Sequence, residues 1–208
     1  DAVAPPLLSD IDTGFGGISN VIRTVQYMER VGVAGIHIED QSFPKLCPLL
    51  DGRKVVDIGA AVGRIKAALD ARVNADFVVV ARSDADVHSI SEVIERCNRY
   101  LDAGADMVMP ATMNVDGRPF SALGAEEQMQ LYRRLCKEIE GPVMSLGFAF
   151  PAGHTATDMV DAGFAYVMVA NMGLTAAANA LLDVYSEFQA AGSDGGFFER
   201  NPGGFCDR

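Results

Sequence analysis

Three carboxylates stand where short apolar runs end. Asp10 and Asp12 close "LLSD-I-D" in the stretch "LLSDIDTGFGG" (7–17), and Glu39 closes "GIHIED" (35–40). Converging acids without a cation repel one another and hold raised pKa values. With a cation they form a hard oxygen site of the kind Mg2+ prefers, one or two carboxylates completed by water and substrate. Asp10, Asp12 and Glu39 are therefore the candidate metal residues, with Asp12 also assigned to the substrate side. The alternative is that these acids cap the helices that follow, whose N-termini favour negative charge. Three acids beside an inward arginine favour the metal.

That arginine is Arg82, which leaves the apolar run "VVVA" (78–81). A guanidinium there is expensive unless it meets an anion. It can grip a substrate carboxylate through paired hydrogen bonds, or it can neutralise a neighbouring acid. A second group lies in "EDQSFPKLCPLLDGRK" (39–54), a long connection with two prolines and a glycine. Such connections often serve as lids. Lys45 and Cys47 lie two apart in it, and a cation near a thiol favours the reactive thiolate. They form the candidate catalytic pair, although a lone cysteine is more often inert packing. Cys97 and Cys136 fall in helical stretches and read as packing; Cys206 lies in the tail and is unassigned.

These residues need a frame. Strands are expected at 6–12, 35–40, 76–84, 106–111, 141–147 and 166–172. Helices are expected near 19–31, 57–72, 89–103, 125–138, 155–162 and 173–191, several stopped by glycine, as in "RVGVAG" and "DAGAD". Apolar strands separated by helices form parallel βα units, and the active site lies at the C-terminal ends of such strands. The stretch "GFGGIS" lacks the third glycine of a dinucleotide fingerprint, and a barrel is the better reading, with six strands. Side chains two apart in a strand share a face, which pairs Asp10 with Asp12, His37 with Glu39, and Arg82 with Asp84. His37, one layer deeper, reads as a buried polar filler. Ser145 is a candidate polar contact to substrate. Asn171 either touches substrate or caps the next helix. His154, in a loop flanked by glycine and proline, reads as surface.

Bulk properties narrow the partners. Of the 208 residues 49% are apolar, enough for a sizeable core, and the net charge of −11 argues against nucleic acid. No apolar run is long enough to cross a bilayer. The four cysteines show no zinc spacing. The expectation is a cytoplasmic protein with free thiols and no membrane partner, and the charge leaves room for a small anionic substrate.

In this order and spacing, "SDIDTGFG" (9–16), "GIHIEDQSFPK" (35–45) and "VVVARSDA" (78–85) resemble the isocitrate lyase / phosphoenolpyruvate mutase superfamily, and the resemblance runs to about residue 190. It implies an α/β fold, a (β/α)8 TIM-type barrel of which residues 1–192 hold six βα units (strands 3–8), the first two being absent. It also implies Mg2+, and a homodimer or homotetramer that exchanges its last helix. Residues 193–208 are a tail outside the resemblance. Asp10 and Asp12 resemble the family's metal-site acids, Glu39 the acid completing that site, Arg82 the substrate arginine, and Lys45 to Leu49 the mobile active-site loop. In the lyases that loop reads lysine, basic residue, cysteine, glycine, histidine, and its cysteine is the acid/base. Here it reads "KLCPL", so Lys45 and Cys47 match while Leu46, Pro48 and Leu49 depart. Ala111 replaces a lyase glutamate, and Thr175 stands where an arginine is usual. The flanks of the loop and "VANMG" are similar to the mutase branch. The implied function is a Mg2+-dependent lyase that cleaves a C–C bond in a small 2-oxo or 2-hydroxy carboxylate of the 2-methylisocitrate, dimethylmalate or oxaloacetate type, through an enolate. The alternatives are phosphoenolpyruvate mutase or phosphonopyruvate hydrolase activity, or a non-catalytic metabolite-binding relative.

Overall fold

The computed structural model describes residues 5–147 and 149–202. Four parallel strands lie side by side in chain order: β1 (Leu8–Asp10), β2 (Gly35–Glu39), β3 (Val78–Ser83) and β4 (Met107–Pro110). The helices α1 (Ile18–Arg30), α2 (Ile58–Ala71) and α3 (Ile90–Asp102) connect them, and α4 (Ala125–Glu138) follows β4. Each begins within one residue of where the sequence places it. Local chemistry explains two of the starts: the Asp57 carboxylate accepts from the Gly59 amide, and the Ser89 hydroxyl accepts from the Glu92 amide.

The sheet has two unlike faces. Ile36, Ile38, Val79, Ala81 and Val108 belong to the large core packed by Val21 and Val25 of α1, Ile65 and Ala68 of α2, Cys97 and Tyr100 of α3, and Leu135 of α4. Alternate residues supply a smaller cluster of Val80, Met109, Ala111, Met144 and Leu146. In β3 the period of two sets Val79 and Ala81 on the helical face and Val80 on the other. Arg82 continues the Val80 row to the C-terminal end of the strand, opposite Glu39 in register.

The expected strands at 141–147 and 166–172 are not realised as strands. They shrink to single parallel bridges, Val108 with Val143 and Met144 with Tyr166. The ladder runs on for one step, with Ser145 N–H donating to Tyr166 O at 2.9 Å. The next amide, Met168 N–H, donates to the Ser145 hydroxyl at 2.9 Å. A side chain thus takes the bond a backbone carbonyl would have had. Between β4 and α4 a two-stranded hairpin, β5 (Asn114–Val115) with β6 (Arg118–Pro119), turns through Asp116 and Gly117, both at positive φ, as an Asp-Gly hairpin turn requires. The short helix α5 (Ala156–Asp161) starts on a capping box between Thr155 and Asp158.

The chain divides into two compact units, one through Met168 and one from Val169. The second unit consists of α6 (Met172–Ala191), ended by Gly192 in the left-handed conformation, and α7 (Gly195–Arg200), which ion-pairs to α6 through Arg200 and Glu187. No residue of α6 is buried, and Met172, Leu174, Leu181, Leu182, Tyr185 and Phe188 are exposed. The family resemblance sets its own boundary at residue 192, with a tail beyond it. Part of that tail is α7; Cys206 lies outside the described residues. No helix among the described residues is long and apolar enough to cross a membrane.

Candidate functional site

The site is built where β1, β2 and β3 end. Asp10 closes β1. Asp12 follows in a turn, at φ +51, with its amide donating to the Asp10 carboxylate at 2.8 Å. The two acids therefore converge through a turn held by Asp10, and not through the strand alternation the sequence suggests. Neither acid caps α1, whose N-cap is Gly17 without a side-chain bond. Glu39, buried at the end of β2, completes the group.

All three acids face one cation of the chain itself. The Lys45 ammonium lies 2.5 Å from Asp12 Oδ1, 3.8 Å from Glu39 Oε1 and 3.9 Å from Asp10 Oδ2. Burial works against that charge, but the hydrogen bond the ammonium donates to Asp12 and the charges of Glu39 and Asp10 outweigh it and hold the ammonium above its ordinary pKa. For Glu39 burial wins: its carboxyl is pushed up to about 7 although Arg82 opposes the rise. His37, expected as a deep filler, reaches the acids as well. Its Nδ1 is 3.5 Å from Asp10 Oδ1, and burial holds the imidazole below its usual pKa against the pull of Asp10.

Arg82 stands between two acids, 3.2 Å from Glu39 Oε2 and 2.7 Å from Asp84 Oδ1. Burial disfavours its charge, and Asp84 and Glu39 restore it. Asp84 Oδ1 takes a second guanidinium, that of Arg53, at 3.0 Å, while Arg53 also holds both oxygens of Asp86 at 2.8 and 3.1 Å. Sequence reasoning assigns neither Arg53 nor Asp86. The one available signal is Asp84 sharing a strand face with Arg82; nothing local marks an arginine 31 residues away as its partner.

Arg53 comes from the long connection after β2, whose ends are zipped. Gln41 bridges Val55, and Ser42 N–H donates to Lys54 O at 2.7 Å. The Gln41 amide clamps the backbone of Leu46, donating to its carbonyl at 3.1 Å and accepting from its N–H at 3.0 Å. This clamp carries Lys45 to the acids. Cys47 is exposed on the same loop and makes no side-chain hydrogen bond among the described residues. Ser145 is buried, its hydroxyl oxygen engaged by Met168 N–H. Asn171 belongs to the second unit, at the N-cap of α6, without a side-chain cap bond. Ala111 is buried and Leu49 exposed. His154, expected at the surface, is half-buried, 3.9 Å from Asp158.

Among the described residues no three Asp, Glu, His or Cys side chains form a ready metal cluster; the acids close on Lys45. Their chemistry still fits a hard dication. The donors are oxygen, both buried Glu39 carboxylate oxygens lack a hydrogen-bond partner, and the Asp10 and Asp12 side chains are 46% and 36% exposed, open to water. Mg2+ binds in that manner, largely hydrated and with few protein ligands.

The family model described as phosphoenolpyruvate phosphomutase matches residues 1–189. An isocitrate lyase of Haloferax volcanii is 33% identical over 95% of the chain and 58% of its own length. A 2,3-dimethylmalate lyase of Eubacterium barkeri is 48% identical over 52% of the chain and 38% of its own length. A crystal structure of phosphonopyruvate hydrolase complexed with oxalate and Mg2+ superposes with a TM-score of 0.73 at 30% identity, covering 92% of this chain and 63% of that one. The chain thus spans less than two thirds of the length of these relatives. It belongs to the phosphoenolpyruvate mutase/isocitrate lyase superfamily.

Proposed function

We propose that the protein is a Mg2+-dependent lyase that cleaves a C–C bond in a small 2-oxo or 2-hydroxy carboxylate. The observation that carries this reading is the convergence of Asp10, Asp12 and Glu39 beside Arg82 at the ends of adjacent strands, in a chain related to 2,3-dimethylmalate lyase. Asp10, Asp12 and Glu39 would hold the ion, which supplies positive charge against the negative charge that grows on the substrate as the bond breaks. Arg82, fixed between Glu39 and Asp84, presents its unpartnered Nε and orients a substrate carboxylate. Asp12 meets the substrate at the mouth of the site, with Ser145 as a further polar contact. Lys45 keeps the loop near the acids, and Cys47, two residues on, delivers the proton to the departing carbanion fragment.

The same proposal includes the assembly. The four-stranded parallel sheet and its two further bridges are part of a closed (β/α)8 barrel, in which this chain holds strands 3–8. The unburied apolar face of α6 packs on a second copy in a homodimer or homotetramer.

A phosphonate reading is the alternative, favoured by the phosphomutase family model and by Leu49 in place of a catalytic histidine. A third, non-catalytic reading rests on buried Ala111 where the lyases carry glutamate. One experiment separates them. The protein with Mg2+ is offered 2-methylisocitrate, 2,3-dimethylmalate, oxaloacetate and phosphonopyruvate, with products read by NMR. Turnover of the phosphonate alone would sink the lyase reading. Mg2+-dependent oxalate binding without any turnover would establish a binding protein. Asp10→Ala should abolish the Mg2+-dependent activity, and a fully active variant would remove the metal assignment.

A further inference from the structure

We propose that Asp40 is a positioning residue of the site: its buried carboxylate straps the ends of β2 and β3 to α3 and so sets how Arg82 stands to Glu39. The inference rests on the reading of Arg82 as the substrate arginine and adds the group that aims it.

Asp40 follows Glu39, so the strand period turns it to the opposite face. Glu39 meets Lys45 and Arg82, while Asp40 is buried against α3. A bare carboxylate there would be costly, but this one is fully engaged. Its Oδ1 accepts from the Asp84 amide at 2.8 Å. Its Oδ2 accepts from the Ser83 hydroxyl at 2.9 Å, the Tyr100 hydroxyl at 2.6 Å and the Arg96 guanidinium at 3.3 Å. Two of these donors directly follow Arg82 in the chain, and two come from α3.

The bond from Asp84 continues the sheet by way of a side chain. Beyond the last paired residues, Asp40 N–H donates to Arg82 O at 3.2 Å. In a regular parallel ladder the Asp84 amide would then donate to Asp40 O. Val56 N–H occupies that carbonyl at 2.9 Å, and the Asp40 carboxylate takes the bond in its place. Asp84 is thus held at both ends, its amide by Asp40 and its carboxylate by Arg82 Nη2 at 2.7 Å. The aim of Arg82 depends on where Asp40 sets the Asp84 backbone. The backbone that carries Glu39 and Asp40 is pinned as well. Arg64 of α2 donates to Glu39 O at 2.6 Å and to Gln41 O at 3.1 Å.

Calorimetry at saturating Mg2+, with oxalate as the probe of the Arg82 site, tests this on wild type, Asp40→Asn, Asp40→Ala and Leu101→Ala. Leu101 packs on the core from the same helix, one position past Tyr100, and reports what loosening α3 does by itself. Titrations are run at a temperature where thermal melts show the proteins folded. Asp40→Ala should lose about 10–100-fold in oxalate affinity. Asp40→Asn, whose carbonyl can still accept from the Asp84 amide, should lose less, and Leu101→Ala nothing. If Asp40→Ala does not fold, the contrast between Asp40→Asn and Leu101→Ala decides. Wild-type affinity in the folded Asp40 variants, or an equal loss in Leu101→Ala, overturns the inference and leaves Arg82 as the substrate arginine. Absence of oxalate binding in wild type overturns that reading of Arg82 and the inference with it.

Discussion

The Arg53 guanidinium holds both carboxylate oxygens of Asp86, at 2.8 and 3.1 Å, and one of its nitrogens also reaches Asp84 at 3.0 Å. This ties the far end of the loop after β2 to the segment after β3. Asp84 in turn pairs with Arg82, and Arg82 with Glu39. A line of alternating buried charges therefore runs from the loop base into the acid cluster. It aligns the arginine expected to meet substrate without any contribution from the surface.

Arg53→Ala should be among the most damaging substitutions. It leaves Asp84 and Asp86 buried without the guanidinium that joins them, and breaking a buried pair from one side costs ~3–5 kcal/mol. Arg53→Lys keeps the charge but cannot form the planar fork, and should recover only part of the loss. Urea denaturation of the three proteins checks the order. A loss below ~1 kcal/mol for Arg53→Ala would show that water replaces the fork.

The frame of this site was legible in the sequence, and its wiring was not. β2 and β3 fall inside the runs that the apolar pattern marks, and α4 occupies the residues expected, because period and glycine stops are local signals. The nearness of Asp10, Asp12 and Glu39 is expected from the motif order, whereas the place of Lys45 among them is not. The partnership of Arg53 with Asp84 and Asp86 could not be anticipated, since it joins positions more than 30 residues apart. The missing strands near 143 and 166 fail for a related reason. Their apolar pattern is sound, and a single hydroxyl, that of Ser145, diverts the ladder. Asp10 and Asp12 show the opposite case: the shared face was anticipated, while the cause is a turn at Asp12 and not the strand period.

Cysteine reactivity should separate along the chain. Cys47 is exposed, Cys97 is fully buried with its thiol raised well above the usual range by burial, and burial pushes Cys136 up to about 11. The thiolate is the reactive form. Iodoacetamide at pH 8 should therefore label Cys47 well before Cys136, and Cys97 only on unfolding, as read by peptide mass mapping. Early labelling of Cys97 in the native protein would contradict the packing of α3. Under the proposed lyase function, Cys47→Ser should cripple turnover; a mild effect would point to the phosphonate branch.

Gly35 opens β2 with no room for a side chain. A Cβ there would lie 2.6 Å from the Val78 carbonyl oxygen and 2.9 Å from Val78 Cβ, with Leu8 Cδ1 at 3.1 Å. The backbone carbonyl of a neighbouring strand cannot step aside as a flexible side chain can. Gly35→Ala should force β1 and β2 apart from β3, at the ~1–3 kcal/mol typical of an overfilled core. Gly17→Ala is the control, because nothing stands within 4 Å of its Cβ. Thermal melts of the pair should show a clear fall for Gly35→Ala alone.

Glu39 should make stability depend on pH in a direction opposite to that of an ordinary paired carboxylate. Its pKa rises from 4.5 to about 7, first through burial and against the attraction of Arg82. Between these two values the folded chain binds the proton and the unfolded chain does not, so stability falls as pH rises through the interval. Each pH unit between the two values carries ~1.36 kcal/mol, so the whole interval weakens the fold by about 3 kcal/mol. Glu39→Gln removes the titration. In EDTA the variant should gain on wild type between pH 4.5 and pH 8, with the difference level above pH 8. Adding Mg2+ should reverse the gain, because the dication favours the ionised carboxylate that only wild type can offer. Denaturation curves at pH 5 and pH 8, with and without Mg2+, measure both steps. A wild-type advantage that grows with pH in EDTA would show that Arg82 and Lys45, and not burial, govern Glu39.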